Sequence, residues 1–143
     1  MELRRMRLDD LAGVVAIQRG ITRQPVSERW RALLAGHLHR DDRLGLVAEE
    51  EGRILGFLLA GYRVGEFGGE HLGWIENLGV DPAHMGQGVG RALADALIEL
   101  FRLQGVTEVH AAVRWDSGDI LSFFQRLGFD RSPYINLRLG PPA

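Results

Sequence analysis

The chain has 143 residues, a length typical of a single domain, and its 17 basic and 19 acidic residues nearly balance. It contains no cysteine, which excludes a thiolate nucleophile, cysteine-ligated zinc and iron–sulfur clusters. All 17 basic residues are arginine, so a P-loop lysine, a Schiff-base lysine and a lysine general base are excluded as well.

The charge balance and the hydropathy pattern set the expected surroundings of the protein. Proteins that bind nucleic acid nonspecifically usually carry a basic excess, which this chain lacks. No apolar run approaches the length of a membrane span, and the first residues form no apolar targeting segment. We therefore expect a soluble, cytoplasmic protein with neither nucleic acid nor membrane as a partner.

The first 40 residues predict one strand and two helices. A short strand is expected over residues 3–7, and Asp9 is expected to cap the helix that follows, because apolar residues recur after it at helical spacing. Ser27 is expected to cap a second helix, which has an apolar stripe that begins at Trp30.

The middle of the chain predicts a meander of antiparallel strands, over residues 44–49, 53–62 and 72–80. The first two strands are joined by a hairpin turn at residues 50–52, and a glycine-rich loop at residues 65–70 precedes the third. That strand is expected to stop at Asp81 and Pro82, because proline cannot continue a hydrogen-bonded ladder.

The last third alternates helices and strands. A strongly amphipathic helix is predicted over residues 88–104, followed by a strand at 108–113, a helix at 119–127 and a last strand at 134–139. A meander followed by β-α-β crossovers predicts an α/β (α+β) fold in which a mixed sheet carries helices on both faces. We expect residues 1–143 to form one domain.

A glycine-rich turn lies between the strand that ends at Val80 and the long helix, with the sequence Met85-Gly86-Gln87-Gly88-Val89-Gly90-Arg91. Glycines at alternate positions leave the backbone N–H groups accessible to a ligand. The start of a helix adds unpaired donors and a partial positive charge, so a diphosphate is the ligand that this turn suits.

Two other phosphate-binding motifs do not fit this turn. The dinucleotide pattern G-x-G-x-x-G fails because its sixth place holds Arg91 or Leu93, and the Walker pattern fails for want of lysine. A flexible loop with glycines for close packing is the structural alternative to phosphate binding.

These residues resemble the GNAT superfamily of N-acetyltransferases, and the resemblance covers most of the chain. The family motif Q/R-x-x-G-x-G/A aligns with residues 85–90, and residues 75–82 and 90–93 are similar to its flanks. Residues 123–129, Phe-Phe-Gln-Arg-Leu-Gly-Phe, resemble the second family motif. The resemblance implies a mostly antiparallel sheet of six to seven strands, splayed between the strands at 72–80 and 108–113.

The resemblance also implies that acetyl-CoA is the co-substrate and that the acceptor is an amine. The residues that it places against acetyl-CoA are Leu78, Gly79, Val80, Met85, Gly86, Gln87, Gly88, Val89, Gly90, Arg91, Ser117 and Phe124. The chain departs from the family at three of them: Met85 replaces the usual Arg or Gln, Ser117 a frequent Asn, and Phe124 the usual Tyr. In many relatives that Tyr protonates the departing thiolate, which Phe cannot do.

Four tasks are needed for acetyl transfer: holding the thioester, stabilising the oxyanion, deprotonating the amine and releasing the thiolate. The resemblance implies that the backbone N–H of Leu78 is the oxyanion donor. Glu76 is the favoured general base, since strand alternation places it on one face with Trp74, Leu78 and Val80; a structural carboxylate is the alternative. Asp116 is the second candidate for the base. Tyr134 is a candidate acid, with aromatic packing as its alternative.

Several functional questions remain open at the level of sequence. Trp74 and Trp115 are candidate walls of an acceptor pocket or parts of the core, and the five histidines show no ligand spacing, so no metal site is predicted. A non-catalytic acyl-CoA-binding module and an acyltransferase with another donor or a hydroxyl acceptor are the alternatives. A homodimer is left open, and the sequence does not identify the acceptor amine.

Overall fold

The computed structural model describes residues 1–64 and 71–141. These residues divide into two compact units, Met1–Ala112 and Val113–Ala143, each of which is described by itself below. The glycine-rich loop predicted at residues 65–70 lies outside the described residues. That residues 1–143 form one domain stays a prediction.

The first unit contains five strands and three α-helices. The strands are β1 (Glu2–Arg5), β2 (Arg43–Glu50), β3 (Arg53–Val64), β4 (His71–Val80) and β5 (Glu108–Ala111). The helices are α1 (Leu11–Thr22), α2 (Glu28–His37) and α3 (Val89–Leu103), with short 3₁₀ turns at Leu8–Asp10 and Pro82–His84. The second unit contains one helix, α4 (Gly118–Arg126).

The strands form one mixed sheet in the order β1-β2-β3-β4-β5, antiparallel except for the parallel pair of β4 and β5. The predicted α/β class and mostly antiparallel sheet are confirmed. The count of six to seven strands is too high, since the described residues form five. Residues 134–139 form no strand, because their alternating pattern has no partner strand to hydrogen-bond.

The predicted hairpin joins β2 and β3, and its turn consists of two residues, because Glu50 is the last residue of β2. Glu51 and Gly52 both have positive φ, 50° and 78°, as a type I′ turn requires. Glycine reaches this region without steric cost, whereas Glu51 reaches it only because the paired strands on both sides hold it there.

Helices cover both faces of the sheet in the first unit. On one face, α1 and α2 bury an apolar cluster against β2 and β3, comprising Met6, Val14, Val15, Ile17, Leu34, Val47, Phe57 and Leu59. On the other face lies α3, whose Leu93, Leu97 and Phe101 are fully buried. A Cβ atom at Gly56 of β3 would lie 2.8 Å from Val89 and 3.1 Å from Leu93, so this glycine lets α3 approach the strand closely.

The two predicted helix caps have different outcomes. Ser27 caps α2 as expected, since its Oγ accepts a hydrogen bond from the N–H of Trp30 at 3.1 Å. The prediction for Asp9 is wrong, because a 3₁₀ turn precedes α1 and the neighbouring Asp10 takes the structural role. The Asp10 carboxylate accepts a hydrogen bond from the backbone N–H of Arg7 at 2.7 Å. It also accepts one from each terminal nitrogen of Arg4, both at 2.8 Å.

Candidate functional site

The glycine-rich turn presents a row of unpaired backbone donors. Gly86 and Gly88 have positive φ, 78° and 83°, and Gly88 is the residue before α3, where it makes no side-chain cap. The first helical bond within α3 runs from the N–H of Ala92 to the carbonyl of Gly88 at 3.0 Å. Among the described residues, no acceptor is found for the N–H groups of residues 86–91, as expected of a helix start without a cap.

The charge at this turn favours an anion. The first turn of α3 contains no acidic residue, although acids are common there because they stabilise the helix dipole. Arg91 lies in that turn and is 3.6 Å from Asp95, an exposed pair one helical turn away. The side chain of Met85, at the place where the family motif has Arg or Gln, is exposed, as is that of Gln87.

Hydrogen bonds to Asp81 fix the backbone between the end of β4 and the glycine-rich turn. The carboxylate of Asp81 accepts the N–H of Ala83 at 3.0 Å and lies 3.2 Å from Nη2 of Arg53. Nδ1 of His84 is 3.5 Å from the same carboxylate. The hydrogen bond from Ala83 and then the Arg53 guanidinium hold the pKa of Asp81 below its usual range, so it stays ionised and fixes the end of β4.

One edge of β4 is open next to this turn. The parallel ladder with β5 ends at Ile75 and Ala111, whereas β4 continues to Val80. This early end of the ladder confirms the predicted splay, although β5 stops two residues short of the predicted residue 113. Within the described part of the chain, no strand pairs with residues 76–80 on that edge.

The backbone of Leu78 faces the open edge. The N–H of Asp81 donates to the carbonyl of Leu55 on β3 at 2.8 Å. Successive N–H groups along a strand point to opposite edges, so those of Val80 and Leu78 point away from β3. Gly79, the third predicted residue of this segment, is buried with its N–H toward β3, and an added Cβ there would lie 2.5 Å from Phe57.

Glu76 is the extra residue of a β-bulge. Leu59 pairs with Asn77, but the next residue, Ala60, pairs with Ile75, so Glu76 has no partner on β3. A bulge changes the direction of the side chains on one side of it relative to the other. The residue as a whole is exposed although only 27% of its side chain is accessible, so its main chain contributes much of the exposure.

The bulge overturns one prediction about Glu76. A Cβ at Gly73 would meet Phe101 of α3, so the next residue, Trp74, faces away from α3. Beyond the bulge, Val80 pairs with Gly56, and a Cβ atom added to Gly56 would point toward α3. Residues that pair directly across two antiparallel strands face the same side of the sheet. Leu78 and Val80 therefore face α3, and the prediction that they share a face with Trp74 and Glu76 is wrong.

The Glu76 carboxylate lies over Gly61 and beside Arg43. A Cβ atom at Gly61 would come within 2.6 Å of Oε1 of Glu76, and Nη1 of Arg43 is 3.5 Å from that oxygen. Since Gly61 pairs with Trp74, the carboxylate is on the Trp74 face. Cross-strand pairing brings Arg43 to this carboxylate; sequence reasoning missed Arg43, although a charge at the start of an apolar strand was a usable signal.

Trp74 is half-buried in a stack of side chains from three strands. The ring of His110 on β5 stacks on it with centroids 4.9 Å apart and planes at 18°. Cζ of Arg63 on β3 is 4.3 Å from its centroid. Trp74 is therefore neither a fully buried core residue nor free on the surface, and it pairs with Gly61, over which the Glu76 carboxylate lies.

The second unit contains the other predicted site residues. Phe124 is buried and makes edge-to-face contacts with Phe123 and Phe129, with centroids 5.3 and 5.1 Å apart. Tyr134 is 61% exposed, so the packing alternative has no support within this unit. Ser117 precedes α4 without a side-chain cap.

The remaining two candidates of this unit are at its surface. Asp116 accepts two hydrogen bonds from Arg114, at 3.0 and 2.9 Å, and these hold its pKa below the usual range. A carboxylate with a lowered pKa is a weaker base, which counts against Asp116 as the proton acceptor. Trp115 is 88% exposed.

No group of three or more His, Asp or Glu side chains in residues 1–64 and 71–141 is arranged to hold a metal ion. In the same residues, no helix is both long and apolar enough to cross a membrane.

Comparison with known proteins identifies the class to which this fold and turn belong. The model of the acetyltransferase (GNAT) family matches residues 11–129, more than three quarters of the chain. The chain therefore belongs to the GNAT acetyltransferase family.

Individual relatives agree with this assignment. An acetyltransferase of Pectobacterium atrosepticum is 29% identical over 138 residues, which cover 96% of this chain and 93% of that protein. The mycothiol acetyltransferase of Amycolatopsis mediterranei is 36% identical over 88 residues, or 59% of this chain, but the match spans only 29% of that enzyme.

A solved structure with the same fold is AAC(6′)-Iy in complex with the bisubstrate analog CoA-S-monomethyl-acetylneamine. It superposes with a TM-score of 0.85 over 99% of this chain and 98% of that one, at 17% identity. At this identity the likeness shows the fold alone.

Proposed function

We propose that the chain is an acetyl-CoA-dependent N-acetyltransferase that transfers the acetyl group directly to a primary amine in a ternary complex. The observation that carries this proposal is the row of unpaired N–H groups at residues 86–91, next to an open strand edge. These donors suit the diphosphate of acetyl-CoA, and the structural relative in complex with a CoA analog supports the same substrate.

The open edge of β4 suits the pantetheine and the thioester. An extended amide chain can pair with an unpaired strand edge through the N–H and C=O groups of Leu78 and Val80. The N–H of Leu78 then donates to the thioester oxygen, where negative charge develops as the tetrahedral intermediate forms. Position 79 requires glycine, because a larger side chain there would clash with Phe57.

The amine nitrogen attacks the thioester carbonyl carbon, and the C–S bond breaks as the tetrahedral intermediate collapses. Glu76 accepts the proton that the amine loses, directly or through a water molecule. Arg43, 3.5 Å away, keeps this carboxylate oriented on the Trp74 face of β4. No cysteine is present to carry an acyl-enzyme, which favours direct transfer.

Release of the thiolate does not use residue 124. The phenylalanine there has no proton to give, and a thiolate is a good leaving group near neutral pH, so water protonates it, with Tyr134 as the other candidate. Ser117 and Phe124 remain proposed contacts of the cofactor on the family resemblance alone.

Release of free CoA tests this function. Acetyl-CoA is incubated with the protein and a panel of amines, the liberated thiol is measured, and mass spectrometry detects an acetylated amine. We expect CoA release that depends on the amine and matches the acetylated product. Binding of acetyl-CoA without release for any amine would instead favour a non-catalytic acyl-CoA-binding module, the alternative that Phe124 supports.

A further inference from the structure

We propose that the acceptor carries a carboxylate or similar anionic group in addition to its amine, and that Arg63, whose guanidinium lies over the Trp74 ring, binds that group. This inference rests on the proposed function and narrows the class of its acceptor. It is drawn from the surface of the sheet around Glu76, on the face that α3 does not cover.

Arg63 is held in a geometry that suits recognition of a planar anion. Its guanidinium carbon lies 4.3 Å from the centre of the Trp74 ring. A guanidinium over an aromatic ring is held by cation–π attraction and can still donate N–H hydrogen bonds to an anion. Carboxylates accept two such bonds side by side, which makes arginine the usual residue for binding them.

The donors of Arg63 have no protein acceptor among residues 1–64 and 71–141. Neither a hydrogen bond nor an ion pair joins the side chain of Arg63 to a described residue, and the residue is exposed. The other two arginines around Glu76 differ from Arg63 because each already has a carboxylate partner. Arg43 faces Glu76 at 3.5 Å and Asp42 at 4.0 Å, and Arg40 makes two hydrogen bonds with Asp42.

The opposite side of Trp74 is held by β5. His110 stacks on Trp74, and Nε2 of His110 lies 3.0 Å from the Glu108 carboxylate. The indole is therefore fixed between neighbouring strands, so the guanidinium that lies over it has a defined position. A defined position lowers the entropy cost of binding a ligand there.

The position of this guanidinium relative to Glu76 indicates the shape of the acceptor. The Glu76 carboxylate lies over Gly61 of β3. The backbone of Arg63 is two residues farther along the same strand, an advance of about 7 Å at roughly 3.3 Å per residue. An acceptor that places its amine at Glu76 and its anion at Arg63 therefore needs several bonds between the two groups. A dipeptide has this spacing between its amino terminus and its carboxylate.

Two acceptors that differ only in the anionic group test the inference. Glycylglycine and glycylglycine amide have the same amine, and kcat/KM is measured for each from CoA release at low and high salt. We expect wild type to prefer glycylglycine by roughly tenfold or more, mainly through a lower KM, as for one charge-assisted hydrogen-bonded pair. High salt should weaken the preference.

Variants assign the preference to Arg63. Arg63→Gln should lose most of it, Arg63→Lys should retain part of it, and Arg102→Gln, a control at an exposed arginine of α3, should retain all of it. A wild-type preference near one, or an equal preference in Arg63→Gln, would overturn the inference while amine-dependent CoA release keeps the proposed function. Absence of release with every amine would overturn both.

Discussion

At the scale of single residues, the position of Glu76 depends on the bulge in β4. The extra residue turns its carboxylate toward Gly61 and Arg43 and exposes the backbone around it. Bulges often redirect a side chain next to an active site. The same carboxylate also makes a partly exposed ion pair, so a structural role and a catalytic role predict different effects of substitution.

Replacing Glu76 by Gln separates these two roles. The amide keeps the shape of the side chain but cannot accept the amine proton, so kcat should fall roughly 10²–10⁴-fold while affinity for acetyl-CoA stays unchanged. Steady-state rates and acetyl-CoA titration measure the two quantities. In the control Arg43→Gln, the carboxylate is kept and the ion pair is lost, so kcat should fall far less. Equal losses in both variants, or turnover within a few-fold of wild type over pH 6–9, would make Glu76 structural.

Phe124 and Tyr134 form the second test at this scale. If the thiolate leaves with the help of water, Tyr134→Phe should keep full turnover, and Phe124→Tyr should keep it or raise it up to roughly tenfold. Because Phe124 is buried among Phe123 and Phe129, the added hydroxyl is expected to lower stability, which thermal melting would report. A strong loss in Tyr134→Phe that is recovered by adding Phe124→Tyr would instead identify Tyr134 as the acid.

At the scale of elements, the position of α3 on the sheet is set by Gly56. A Cβ there would lie 2.8 Å from Cγ1 of Val89 and 3.1 Å from the carbonyl oxygen of Gly79, so Gly56→Ala must push the first turn of α3 outward. We expect a loss of about 1–3 kcal/mol in the free energy of unfolding, together with weaker acetyl-CoA binding. Denaturant unfolding and titration measure the two effects.

Gly36→Ala is the matched control for this change. Gly36 lies in α2 with nothing within 4 Å of its Cβ position, so alanine there should stabilise the helix by up to about 1 kcal/mol and leave binding unchanged. Wild-type affinity in Gly56→Ala would show that the start of α3 does not position the cofactor.

Elements also show what the sequence could and could not predict. The hairpin at Glu51 and Gly52, the end of β4 at Asp81 and the Ser27 cap follow from local residue chemistry, and all three are confirmed. The bulge at Glu76 depends on the register with β3, which is a property of two strands and leaves no mark in the alternation of one.

Two further predictions are wrong because they, too, depend on contacts with residues that are distant in the sequence. Residues 134–139 alternate apolar and polar side chains, but a strand exists only when its backbone pairs with another strand, and none pairs with these residues in the described part of the chain. Asp9 and Asp10 are equally good caps by residue type. Contacts with Arg4 on β1, which are tertiary, decide in favour of Asp10.

At the scale of the whole first unit, Arg4 joins three elements through two carboxylates. It contacts Asp10 before α1 and Glu49 on β2, while only 6% of the Asp10 side chain is accessible. The hydrogen bonds from Arg4, with a further one from the backbone of Arg7, hold the pKa of Asp10 below its usual range. This ion pair therefore stabilises the fold only while Asp10 is ionised.

Asp10→Asn should lower the free energy of unfolding by about 1–3 kcal/mol at neutral pH, because it leaves a partly buried guanidinium short of one partner. Because the pKa of Asp10 is lower in the folded protein than in the unfolded chain, its ionisation adds to the free energy of unfolding. This contribution is complete above the pKa in the unfolded chain, about 4, and is lost as the pH falls through the pKa in the folded protein. The difference between wild type and variant should therefore shrink below about pH 4. Glu99→Gln, at an exposed pair with Arg102, is the control. A difference that is constant down to low pH would contradict this account.

The central claim is that the turn at residues 85–91 holds the diphosphate of acetyl-CoA, and the change in melting temperature on adding acetyl-CoA tests it most directly. At one hundred times Kd, a ligand that binds only the folded state adds roughly 2.7 kcal/mol, enough for a shift of several degrees. Gly90→Glu is the informative variant, since Gly90 has no positive φ and a glutamate there places a negative charge in the first turn of α3, where it would repel the phosphates. Gly36→Glu adds the same charge on an exposed site of α2. The account predicts a clear shift in wild type and Gly36→Glu and none in Gly90→Glu; an equal shift in all three, or no shift in wild type, would contradict it.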